Sequence, residues 1–70
     1  MSEPNTSWQV VEPGVLRLPE TQFEIRYGQR YGLWSLYRLG VSLGSSATLA
    51  GAKAHAAYLM RDLLEAGIEP

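Results

Sequence analysis

The 70-residue chain has no cysteine and a single histidine, and its charged side chains nearly cancel, leaving a formal net charge of −1. Without cysteine, neither a disulfide framework nor a thiolate metal site can staple so short a chain, so packing or a partner must supply stability. Absent too is any run approaching the roughly 18 consecutive apolar residues of a membrane span. Met1 leads into Ser-Glu-Pro-Asn-Thr-Ser, not into a basic and then apolar signal region. The expectation is a soluble, cytoplasmic protein with no membrane partner. A chain of this length forms one small domain with little room for a deep enzyme cleft. The small net charge also lacks the basic excess of a general nucleic-acid binder.

The chemistry-bearing motifs are equally sparse. His55 has no HxxxH or HExxH companion and no clustered acidic or histidine spacing, so a zinc or iron site has nothing to build on. Ser45, Ser46 and Asp62 suggest no serine-histidine-acid arrangement with it. The glycines of Gly40 to Ser45 and of Leu49 to Lys53 stand near a helix start, where free amides can hold an anion, but neither stretch reads GxxxxGK[ST] or GxGxxG. No catalytic residue, metal or cofactor is expected, and the chain reads as a non-enzyme.

What is present is organisation. Residues 1–22 hold Glu3, Glu12 and Glu20 against Arg17 and contain three of the four prolines; residues 23–66 hold Arg26, Arg30, Arg38, Lys53 and Arg61 against Glu24, Asp62 and Glu65. The first segment reads as extended, the second, continued to residue 67, as a compact β-β-β-α domain. Phe23, Ile25 and Tyr27 alternate with Glu24 and Arg26, the period of a half-buried strand, and Gly28-Gln29-Arg30 supplies a turn. Tyr31 to Leu39 is apolar at most positions and suits a central strand; Gly40 ends it. Val41-Ser42-Leu43 is a short third strand, after which Gly44-Ser45-Ser46 is expected to leave the sheet. Trp8 to Val11 and Val15 to Leu18, divided by Pro13-Gly14, offer material for a fourth, edge strand.

One helix follows. Thr48 is placed to cap its start and Gly67 to close its end, and Leu49, Ala52, Ala56, Leu59, Met60 and Leu63 form one stripe at helical spacing. The fold class is therefore α+β: a three-stranded antiparallel sheet, with an N-terminal edge strand in reserve, packed on one C-terminal helix. The stripe makes Thr48 to Met60 mainly scaffold, with His55 on its flank.

Aromatic residues make up 10% of the chain, and a single helix covers only one face of a sheet. Strand alternation puts Leu33, Ser35 and Tyr37 on one face and Trp34, Leu36 and Arg38 on the other. Either Trp34 or Tyr37 is then left on the uncovered face unless residues 1–22 fold across it. Large aromatics and arginine supply much of the energy at protein interfaces. Trp34, Tyr37, Arg38, Arg26 and Tyr31 are accordingly the candidate partner-binding residues. For a nucleic-acid partner the candidate contacts are Arg26, Arg30, Arg38 and Lys53.

The order of three short strands and a helix carries W-x-L-Y-R at Trp34 to Arg38, S-L-G at Ser42 to Gly44 and T-L-A-x-A-K-x-x-A-A at Thr48 to Ala57. In this it resembles the sheet-plus-helix modules of phage integrase arm-binding domains and plant ethylene-response-factor domains. That resemblance covers residues 23–66 and implies a sheet that enters the DNA major groove. The stretch from Gly44 to Ala57 is also similar to the last strand and helix of a double-stranded-RNA-binding domain, but the first helix of that family has no counterpart. Small phage and prophage accessory proteins, including inhibitors of host defence, share the same strand order. With near-neutral charge and an excess of aromatics, the favoured expectation is a protein-binding module of that inhibitor or adaptor kind, with homodimerisation through the aromatic face as a variant. The alternative is a nucleic-acid-binding sheet.

Overall fold

A computed structural model of the chain describes residues 7–70; residues 1–6 of the N-terminal segment lie outside the described residues. Among the described residues five strands and one helix follow in order: β1 (Gln9–Glu12), β2 (Val15–Arg17), β3 (Phe23–Gly28), β4 (Leu33–Arg38), β5 (Val41–Ser46) and α1 (Leu49–Glu65). The strands form one antiparallel sheet in sequence order. The α+β class and the single helix match the sequence reading, but the sheet has five strands instead of three or four.

Two local features account for the extra strands and the longer β5. Pro13-Gly14 is not a divider but the turn of a β1–β2 hairpin, with Gly14 at φ 77°, where a side chain is disfavoured. β2 then pairs with β3, Leu16 opposite Ile25. Gly44, expected to release the chain from the sheet, stays in β5 opposite Leu36 at φ 147°. The register jumps there from Tyr37–Ser42 to Leu36–Gly44, so Leu43 is the extra residue of a β-bulge. Tyr31 belongs to the β3–β4 turn and not to the central strand, because the Gly28 carbonyl accepts from the amides of Tyr31 and Gly32.

Residues directly opposite in an antiparallel register share a face. Leu16, Ile25 and Leu36 lie in one row, Phe23 beside them, and all are buried under α1. The helix contributes Ala52 and Ala56, both 1% exposed, with Leu49, Leu59, Met60 and Leu63 packed around them. Alanine at the contact lets the helix backbone sit close to the sheet, while the longer side chains fill its margins. Phe23, Leu18, Ile25 and Leu36 are the largest fully buried side chains, each worth about 1.5–3 kcal/mol of apolar burial.

Both helix ends are closed by local hydrogen bonds. Thr48 Oγ1 accepts from the Gly51 amide at 3.0 Å. At the other end Gly67, at φ 77°, donates to the Leu64 carbonyl and Ile68 donates to the Leu63 carbonyl, the paired bonds of a Schellman motif. The chain then returns to the sheet. Pro70 O accepts from the Gln22 amide and Glu69 O from Arg38 Nη2, tying the segment after the helix to the start of β3 and the end of β4.

Candidate partner-binding face

Since α1 occupies one side of the sheet, the other side carries no covering element among the described residues. Of residues 1–22, which the sequence offered as a cover, residues 9–12 and 15–17 extend the sheet sideways instead, and residues 1–6 lie outside the described residues. The registers arrange the open face in two rows running across all five strands. One is Gln9, Arg17, Glu24, Tyr37 and Ser42; the other is Glu12, Val15, Arg26, Ser35 and Ser45. Two arginines thus face two glutamates, and the face is formally neutral.

Its polar groups differ in how far they are committed. Arg26 Nε donates to Glu24 Oε2 within β3. The Ser35 and Ser45 hydroxyls share a hydrogen bond of 2.9 Å across β4 and β5. Arg17 is exposed, and its guanidinium makes no hydrogen bond or ion pair among the described residues. The half-buried Tyr37 phenol is likewise without a hydrogen-bond partner there. Together Arg17, Glu24, Arg26, Tyr37 and Leu39 line an open groove of about 500 Å³.

At the rim of that groove the β4–β5 hairpin turns on two residues, Leu39 at φ 55° and Gly40 at φ 80°. Two positive φ angles define a type I′ turn, whose first position suits asparagine or glycine. A leucine there is strained by roughly 1 kcal/mol, and it is also 64% exposed. A large apolar side chain is therefore held in water, in an unfavourable backbone conformation, beside Tyr37 and the two arginines.

The candidate residues separate. Tyr37 and Arg26 lie on the open face. Trp34 and Arg38 lie on the helix side, Trp34 half-buried against the core with its ring 4.7 Å from that of Tyr27. Arg38 donates to the carbonyls of Glu69 and Pro70. Tyr31 is in the β3–β4 turn, 73% exposed, with the Arg30 guanidinium 5.5 Å from its ring centre. Lys53 is on α1, beside Trp8. The four cations offered as nucleic-acid contacts, Arg26, Arg30, Arg38 and Lys53, consequently lie in four different settings and build no common basic patch. Arg17, Glu24 and Leu39 escaped notice as site residues because β2 is only three residues long and Leu39 reads as the end of a strand.

The sheet edges are blunted. β1 carries Val11 as an extra residue between the Val10–Leu16 and Glu12–Val15 pairs, and β5 carries Leu43 in the same way. Bulges at both edges disfavour the addition of a further strand, which directs contact to the face. His55 packs over Gly44 on the helix side, away from the open face. Among the described residues no group of three His, Cys, Asp or Glu is placed to hold a metal ion, and no helix is long and apolar enough to cross a membrane.

No protein-family model, curated protein or solved structure matches the chain.

Proposed function

We propose that the chain is a small non-enzymatic module that binds a protein partner on the open face of its sheet, in the manner of an inhibitor or adaptor. The observation that carries this is the groove around Tyr37: an aromatic flanked by arginine, an exposed strained leucine at the rim, and neutral overall charge. Tyrosine and arginine are the side chains that most often anchor protein interfaces, and depletion of net charge suits a partner of the same kind. Dispersal of Arg30, Arg38 and Lys53 away from this face speaks against a polyanionic partner, whose affinity grows with the number of phosphates neutralised together. A second copy of the chain on the same face would be a special case of this reading.

The test is affinity capture from the source cell with and without nuclease, using wild-type chain and Tyr37→Ala. A protein retained after nuclease treatment and lost with Tyr37→Ala is the expected result. Capture that depends on nucleic acid, or that ignores Tyr37, would remove the proposal; sedimentation of the purified chain reads self-association separately.

A further inference from the structure

Among the described residues the open face holds one arginine that makes no hydrogen bond or ion pair, Arg17, and its surroundings select what can meet it. Arg17 stands in the same row as Tyr37, with Glu24 between them on β3. Glu24 is held by Arg26, so among the described residues the Arg17 guanidinium is the cation of the groove without an ion pair. Adjacent strands are about 4.8 Å apart, so Arg17 and Tyr37, two strands apart, are separated by roughly 10 Å along the row. Beyond Tyr37 the groove reaches the exposed Leu39. One end of the groove is thus cationic and the other aromatic and aliphatic.

We infer that the partner presents a carboxylate side chain to Arg17 and, roughly 10 Å away, a large apolar side chain to Tyr37 and Leu39. This rests on the preceding reading that the face binds protein, and it names the chemistry of the bound segment. A guanidinium takes a carboxylate in a bidentate pair, whose planar geometry adds specificity. A phosphate chain fits less well, since its successive negative charges must also pass Glu12 and Glu24, while among the described residues Arg17 is the one cation of this face without an ion pair. The exposed leucine adds an apolar requirement that a nucleic-acid backbone does not fill. Leu39 keeps its strained turn because its side chain is part of this contact.

A library of random linear peptides, selected on the intact chain, tests the inference without knowledge of the natural partner. Enrichment of peptides pairing Asp or Glu with a large apolar residue is expected. For a selected peptide, Arg17→Ala should weaken binding about tenfold or more, Arg17→Lys less, and high salt should erase most of the difference. A peptide whose acid is changed to lysine should recover binding to Arg17→Glu. Because Arg17 is exposed, circular dichroism should be unchanged in all three variants. Enrichment of neutral or basic peptides, or indifference to Arg17 while Tyr37→Ala still abolishes binding, overturns the acidic requirement and leaves the face reading standing. Indifference to both residues, failure to enrich any peptide, or tighter binding of a duplex oligonucleotide than of any selected peptide overturns both.

Discussion

The His55 ring lies against the backbone of Gly44: a Cβ built on Gly44 would stand 3.2 Å from His55 Cε1. The relationship joins the flank of α1 to the bulged edge strand β5, and it assigns the only histidine to packing. Gly44 meets two demands at once, since φ 147° also disfavours any side chain. Gly44→Ala should therefore cost about 1–3 kcal/mol in chemical denaturation. His55→Ala should leave the fold intact. The double variant should recover only the steric part of the loss, because the backbone strain remains. A Gly44→Ala protein as stable as wild type would contradict this packing.

Burial grades the core. Leu36 is 1% exposed beneath the helix, whereas Leu59 is only half-buried at its margin. Leu36→Ala should cost about 2–5 kcal/mol, and Leu59→Ala clearly less. Thermal melts of the two variants check the order, and reversal of it would mean that the helix is rotated from its assigned stripe.

The strained turn offers a substitution that separates stability from binding. Leu39→Asn places a residue that tolerates positive φ in the type I′ turn and should raise stability by about 1 kcal/mol. The same change removes the apolar rim of the groove and should weaken partner binding. Equal affinity in a more stable variant would show that Leu39 has no part in recognition.

Arg38 behaves in the opposite sense. Its guanidinium is engaged by the Glu69 and Pro70 carbonyls on the helix side of the sheet. Arg38→Ala should lower stability by about 1 kcal/mol through the loss of these hydrogen bonds, while affinity for the partner stays within a few-fold of wild type. Titration of the variant with the captured partner checks this.

The elements with strong local signals were readable directly. Thr48, Gly67 and the Leu49-to-Leu63 stripe marked the helix because capping chemistry and the helical period are both local. β3 announced itself by alternating Phe23, Ile25 and Tyr27 with polar residues. β1 did not, since all four of its residues are exposed and show no inside-outside contrast. Gly44 was misread because the sequence does not distinguish a glycine that ends a strand from one that bends it. Alternation correctly separated Trp34 from Tyr37, but which of them faces solvent depends on the side α1 takes, a tertiary choice that no strand records. Arg17 became part of the open face only through the pairing of β2 with β3.

The absence of cysteine makes the location of the interface directly measurable, because a single introduced thiol reports its own accessibility. Ser42→Cys places one on the exposed open face beside Tyr37, and Ala54→Cys places one on the exposed surface of α1. With the captured partner bound, alkylation of Ser42→Cys should slow about tenfold or more while Ala54→Cys reacts at its free rate. Protection of Ala54→Cys with no protection of Ser42→Cys would contradict binding through the open sheet face.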